Sequence, residues 1–308
     1  MQIQTIAEQL FFTTVRVDTV ATNGGTGSGT AFLFVHKVGD QSYPFVVTNK
    51  HVVTGMGEGA LSFLQRKDML PSLGQGFRLG IQDWPQAWFG HPSADIDIDI
   101  AICPFAPIEA HIKQQNGLDL FYRYVSTGMS PTNEQAKDLD ALESVTFIGY
   151  PNGIWDSKNL LPVARRGTTA SPIEVDFENT PRFLIDASVF GGSSGSPVFI
   201  LNQGSYSQKN GALVAGSRLF FVGVIAAVFQ RTQLNEIIAV PIPTQVRPMS
   251  QTQEMIDLGI VFKARTVVET IEAFLKASGL PTVAPAPAPA AVAAPAPAAG
   301  APDAAQAT

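Results

Sequence analysis

The sequence predicts an all-β protein: two β units in series, one helix behind them, and an extended tail. Three observations carry this. Strand candidates are short, rich in Val, Ile, Phe and Thr, and broken by Gly, Pro and Asn. No strand–helix alternation of the kind a parallel α/β sheet requires runs along the chain. Strong helical periodicity is confined to one stretch close to the C-terminal end.

The early strand candidates are TTVRVDTV, GTAFLFVH, PFVVTN and DIDIAIC, ending at about Pro107. Residues 111–142 are more polar, and NEQAKDLDALE suggests short helices there. The later group, from about Glu143 to Pro243, holds SVTFIGY, RFLIDAS, SPVFIL, FFVGVIAAVF and EIIAVPI. In ARTVVETIEAFLKASG, residues Val267, Val268, Ile271, Phe274 and Leu275 recur at helical spacing. Thr266 and Glu269 are placed for a capping box, and Gly279 for the C-terminal stop. From about Pro281 the chain turns to Ala/Pro repeats, whose prolines block helix and sheet ladders, so an extended, disordered tail is expected.

Composition narrows the function classes. With 308 residues and 45% hydrophobic content the chain can bury a sizeable core. The net charge of -6, without any basic block, argues against nucleic acid as a partner. The single Cys103 excludes an intramolecular disulfide framework and lies in an apolar run that reads as core. No Cys/His cluster has zinc-ligand spacing, and no metal or other cofactor is expected. No apolar run approaches the roughly 18 residues a membrane span needs, so no membrane partner is expected. MQIQTIAEQLFF lacks the basic and apolar regions of a secretory signal, which makes a cytoplasmic location the expectation.

The stretch GGSSGSPVF, from Gly191 to Phe199, sets three serines among three glycines. A serine hydroxyl attacks only with an imidazole base beside it and an acid to orient that base. Chain order then sorts the possibilities. A Gly-x-Ser-x-Gly elbow would make Ser193 the nucleophile and needs its histidine downstream. His36, His51, His91 and His111 all precede the serines, so the elbow fails. A subtilisin order needs strand–helix alternation, which is absent. The order His, Asp, Ser remains. His51 follows PFVVTN where a strand gives way to a turn; His36 ends a strand, and His91 and His111 stand in loop-like settings. In ADIDIDIAIC, Asp95, Asp97 and Asp99 alternate with isoleucines, which places the carboxylates on one strand face. The bland reading is a solvated acidic edge, with a weak cation site as the lesser alternative. Asp99 alone leads into the continuing apolar run, so it should sit deepest.

TNKHVV, DIAI and GSSGSPVF together resemble the trypsin-like (chymotrypsin-fold) serine peptidases, in particular the bacterial HtrA-type and glutamyl-endopeptidase branches. GSGTAFLF, FIGYPNG, LIDASVFGG and VGVIAAVF followed by IIAVPIP extend the resemblance over residues 10–245. It implies two six-stranded antiparallel β-barrels, chymotrypsin-like, with a C-terminal helix and a disordered tail. The N-terminal barrel would span 1–110, a connection 111–142, the C-terminal barrel 143–262, the helix 263–279 and the tail 280–308. It also implies His51 as general base, Asp99 as orienting acid and Ser194 as nucleophile. Gly192, Ser193 and Ser194 would line the oxyanion hole, with the N–H groups of Gly192 and Ser194 as its donors.

Ser193 stands where proteolytically activated relatives carry Asp, so zymogen cleavage of that kind is not expected. Ser196 replaces the commoner Gly, as in glutamyl endopeptidases. HtrA-type relatives usually add a PDZ domain where this sequence offers the helix and the Ala/Pro tail, so peptide-regulated oligomerisation is not expected. Ser188, Phe190, Ala226 and Ala227 are the expected specificity-pocket residues. With no Asp or His among them, cleavage after small or medium apolar residues is expected. The expected partner is a protein or peptide substrate, with a regulatory partner as a possible gate. An inactive trypsin-like binding module is the competing reading, and a structural β-protein with a coincidental serine loop a third; the complete His/Asp/Ser set favours an active endopeptidase.

Overall fold

The computed structural model describes residues 2–236 and 249–283. The first unit opens with α1 (Ile6–Leu10), begun by a capping box in which Thr5 and Glu8 satisfy each other's backbone N–H groups. Strands β1 (Thr14–Ala21), β2 (Thr26–Val38) and β3 (Gln41–Thr48) follow, and then the single turn α2 (Lys50–Val53). Next come β4 (Met56–Lys67), β5 (Leu70–Ile81), β6 (Phe89–Gly90) and β7 (Ala101–Pro104). Helix α3 (Phe105–Asn116) leads to β8 (Leu120–Phe121) and β9 (Val125–Ser126).

These strands form one nine-stranded sheet in the order β5-β4-β1-β2-β3-β7-β6, with β8 on β4 and β9 on β2. Six strands are expected from sequence. The β4–β5 hairpin adds long, Gly- and Ser-interrupted strands whose apolar alternation is weak. β8 and β9 lie in the polar stretch expected to connect the units, yet they pair into the first sheet. α3 also crosses from the expected first unit into that stretch. It buries Phe105, Ile108 and Ile112, and Pro107 falls in its first turn, where no helical N–H is lost.

Helix α4 (Asn133–Lys137), capped by Thr132 and Gln135, falls in the segment where short helices are expected. The second unit comprises β10 (Ser144–Gly149), β11 (Val163–Thr169), β12 (Arg182–Asp186), β13 (Pro197–Asn202), a side hairpin of β14 (Ser205–Ser207) and β15 (Leu213–Ala215), β16 (Arg218–Glu236) and β17 (Met249–Lys263). Six of them close a barrel in the order β10-β11-β12-β17-β16-β13, as expected of the C-terminal barrel. The strand that closes it is β17; the expected IIAVPIP run lies outside the described residues. β17 pairs with both β12 and β16 through Gly259–Phe262. The Ala/Pro run from residue 284 onward also lies outside the described residues.

Each unit has its own apolar core, and a third cluster joins them. Phe32 and Phe34 of β2 meet Phe221 of β16 with ring centroids 5.5 and 5.9 Å apart. α5 (Ala264–Ala277) packs on the same cluster through Val267, Ile271 and Leu275. Burying each such side chain stabilises by about 1.5–3 kcal/mol, so the helix is part of the core that fixes one unit on the other. It starts earlier than the capping-box reading implies. Lys263 is the N-cap, and Thr266 lies inside the helix with its hydroxyl donating to Lys263 O at 2.8 Å. The C-terminal stop is where sequence puts it: Gly279 N donates to Lys276 O and Leu280 N to Leu275 O, a Schellman pair.

Candidate active site

β3 ends at Thr48, and the chain turns through Asn49 into α2, which presents His51. Asn49 occupies the N-cap position, yet its side chain does not cap the helix. Its Nδ2 donates instead to Asp99 O at 2.7 Å and fixes the backbone carrying the acid. The Asp99 carboxylate accepts twice from one residue: His51 N to Oδ1 at 3.0 Å, and His51 Nδ1 to Oδ2 at 2.5 Å. A carboxylate so engaged holds Nδ1 as the protonated ring nitrogen and leaves Nε2 free as a base.

The stretch ADIDIDI is not a strand. Ile98 N bonds Ile96 O and Ile100 N bonds Ile98 O, both at 2.9 Å, a run of γ-turns that precedes β7. The period of two survives. Ile98 and Ile100 are buried, while the Asp97 side chain is 86% exposed and pairs with Lys50. Asp99 is 18% exposed, so of the two carboxylates nearest β7 it is the deeper. Asp95 stays exposed.

Between β12 and β13 runs the serine loop. Ser193 and Ser196 are 1% and 0% exposed, and their hydroxyls are walled in without partners. Ser194 alone of the three lines a cleft of about 320 Å³, together with His51, Asp99, Val189, Phe190, Gly191, Ile225, Ala226 and Val228. Its Oγ donates to Ala226 O at 3.3 Å and makes no hydrogen bond to His51. The structure therefore brings His51 and Asp99 into contact and puts Ser194 in the same cleft, with its hydroxyl turned aside.

The loop geometry bears on the expected oxyanion donors. Phe190 to Ser193 form a turn closed by Ser193 N donating to Phe190 O at 3.0 Å, so the Ser193 N–H is spent. Gly192, third in that turn, has φ +81°, as a type II turn demands. The N–H groups of Gly192 and Ser194 have no acceptor among the described residues. Of the expected pocket residues, Phe190 and Ala226 line the cleft and Ser188 does not, since Val189 takes its place on the wall. Ala227 lies in β16, and its side chain is outside those described.

The other histidines stand elsewhere. His36 is buried within β2, bonded to Thr127 Oγ1 at 2.9 Å and Glu272 Oε1 at 2.5 Å, and it ties α5 to the first sheet. His91 lies 3.4 Å from Glu269, and His111 is exposed on α3. Cys103 offers no alternative nucleophile, because burial pushes its thiol up to about 12. Among the described residues no group of three or more His, Cys, Asp or Glu could hold a metal ion. No described helix is long and apolar enough to cross a membrane.

A trypsin-like peptidase domain profile matches residues 27–205, more than half of the chain and inclusive of His51, Asp99 and Ser194. The chain belongs to the trypsin-like peptidase family. Solved structures with similar folds include an M. tuberculosis protease in its active form, at 16% identity over 91% of this chain and 86% of that one, with a TM-score of 0.41. An HtrA-type protease with a decapeptide is 12% identical, covering 90% of this chain and 68% of that one, with a TM-score of 0.43. The tobacco etch virus protease complexed with product is 14% identical over 74% of this chain and 73% of that one, with a TM-score of 0.41. No curated protein matches this peptidase.

Sequence reasoning missed Asn49, Thr30 and Thr48. Their signal was a polar residue inside an apolar strand or at its end, in GSGTAFLF and PFVVTN. Only burial marks them as more than turn formers: all three are 0% exposed.

Proposed function

We propose that this trypsin-like peptidase is a serine endopeptidase working through an acyl-enzyme. The observation that carries the reading is the two-point grip of Asp99 on His51 beside the one hydroxyl of the serine loop that reaches the cleft. Ser194 Oγ attacks the scissile carbonyl carbon as its proton passes to His51 Nε2. The oxyanion receives the N–H groups of Gly192 and Ser194. Collapse of the tetrahedral intermediate breaks the C–N bond, and His51 hands its proton to the departing amine. Water then attacks the ester, with His51 again as base, and releases the acid and Ser194. Within the family, the motifs quoted above favour the bacterial HtrA-type and glutamyl-endopeptidase-like branch.

The cleft wall of Val189, Phe190, Ile225, Ala226 and Val228 supports cleavage after small or medium apolar residues. A peptide library cut by wild type and not by Ser194→Ala tests both parts. Apolar residues before the cut support the assignment, and clear Arg, Lys or Glu preference there sinks the specificity.

One observation favours a gated enzyme, with an inactive binding module as its limiting case. The Ser194 hydroxyl donates to Ala226 O rather than to His51. Turning it onto the imidazole is then the arming step, which a substrate or a regulatory partner would drive. Ready casein degradation by the isolated protein would remove the need for such a partner.

A further inference from the structure

Thr30 lies on β2 of the first unit, is 0% exposed, and does not itself line the cleft. It nevertheless makes four hydrogen bonds that converge on the serine loop and its supports. Its Oγ1 donates to Gly192 O at 2.9 Å and accepts from Tyr150 N at 3.0 Å. Its backbone N donates to Ser194 O at 3.0 Å, and its carbonyl accepts from Thr48 Oγ1 at 2.7 Å, at the strand end from which the chain turns to His51.

The N–H groups of Gly192 and Ser194 have no acceptor among the described residues, and Thr30 holds the carbonyl of each of these residues. Its side chain takes the first and its main chain the second. The Gly192–Ser193 peptide is thereby pinned at both ends: C=O by the Thr30 hydroxyl, N–H by Phe190 O. That plane separates the two free N–H groups, and its rotation would re-aim the Gly192 donor. A glycine at φ +81° has little intrinsic resistance to such rotation. The hydroxyl has one proton and uses it on Gly192 O; the Tyr150 N–H, accepted from the other side, prevents it from turning away.

We propose that Thr30 is a positioning residue that holds the oxyanion hole open from the first unit, with its hydroxyl as the working group. The inference rests on the serine-peptidase reading. A buried hydroxyl acting on a loop of the other unit would change transition-state stabilisation without changing substrate affinity, because it touches no substrate.

The test compares Thr30→Val, which keeps shape and removes the hydroxyl, with Thr30→Ser, which keeps the hydroxyl. Each is assayed for peptide turnover, for the rate of fluorophosphonate labelling at Ser194, and for Tm. Thr30→Val should lower kcat and the labelling rate by about 10–100-fold, with KM changed less than about 3-fold, because small misplacements of a donor cost this much. Thr30→Ser should stay within about 3-fold of wild type. Wild-type labelling of Thr30→Val, or equal impairment of both variants, overturns the proposal. If Thr30→Val does not fold, Thr30→Ala takes its place. If neither folds while Thr30→Ser is active, the hydroxyl is a structural pin and the positioning role falls. Wild type unlabelled both with and without substrate peptide would instead bring down the serine-peptidase reading, and the Thr30 proposal with it; labelled wild type with equally labelled Thr30→Val brings down only the latter.

Discussion

Replacing Asp99 with Asn keeps the shape of the site and removes one charge and one acceptor. In the native arrangement both carboxylate oxygens accept from His51, Oδ1 from the main-chain N at 3.0 Å and Oδ2 from Nδ1 at 2.5 Å. An amide has only one acceptor oxygen, so one of the two His51 N–H groups would face an NH₂. If the main chain keeps the oxygen, the imidazole must present Nδ1 as acceptor, which moves its proton to Nε2 and removes the base. Such a tautomer switch costs roughly 10⁴ in kcat in the serine-protease template, about 5.5 kcal/mol of transition-state stabilisation. Asp97→Asn is the control. Its carboxylate is 86% exposed and pairs only with Lys50, so less than about a 3-fold loss is expected. Steady-state cleavage of one chromogenic peptide by the three proteins measures both ratios. Equal losses for Asp97→Asn and Asp99→Asn would refute the assignment of Asp99, whatever their size.

Other expectations follow from the same contacts. Ser194→Ala should abolish turnover, whereas Ser193→Ala, whose hydroxyl is walled off from the cleft, should retain activity within about 3-fold; the reverse pattern in the same peptide assay would contradict the choice of serine. Gly195→Ala adds a Cβ 1.8 Å from Thr30 O and 2.6 Å from Thr48 Oγ1 at φ +86°. The loop must shift, at a cost of about 3 kcal/mol or more. Calorimetry should then show a Tm drop of roughly 6 °C or more, and an unchanged Tm would mean the loop is looser than its contacts imply. Asp176 is pushed up by partial burial, but the bonds from Lys263 and Arg265 outweigh this and hold its carboxyl below the usual range. A depressed carboxylate stabilises the fold above its unfolded pKa and loses that contribution as pH falls through its folded one. Asp176→Asn should therefore cost about 1 kcal/mol in denaturant titrations at pH 7, and the gap to wild type should close below about pH 4. A pH-independent gap would show that the cost is packing rather than charge.

The serine loop and the histidine turn were legible because each departs from its surroundings in a way chemistry explains. His51 follows an apolar strand at its end, and four upstream histidines remove the elbow order for the serine loop, while the absence of strand–helix alternation removes the subtilisin order. Asp99 was singled out on a partly mistaken ground. Period-two alternation placed it correctly beside buried isoleucines, but γ-turns rather than a strand produce the alternation. The β4–β5 hairpin was hidden because Gly, Ser and Gln interrupt its apolar positions, so its strand character comes from cross-strand pairing. β17 is hidden because Asp257 and Gly259 interrupt the apolar positions of IDLGIVFK, although this run supplies the barrel strand that pairs on both sides. Thr266 has the side chain of a helix cap, but the backbone enters the helix at Lys263. Thr30 could not be read at all. Its role depends on contacts 120 and 162 residues away in sequence, which local pattern does not encode.

The first measurement is fluorophosphonate labelling of folded wild-type protein, with peptide mapping and Ser194→Ala beside it. A competent Ser194, His51 and Asp99 set predicts a single modified peptide, carrying the label on Ser194, that disappears in the variant. Labelling at Ser193, or none at all in folded protein with or without substrate peptide, would contradict the serine-peptidase assignment.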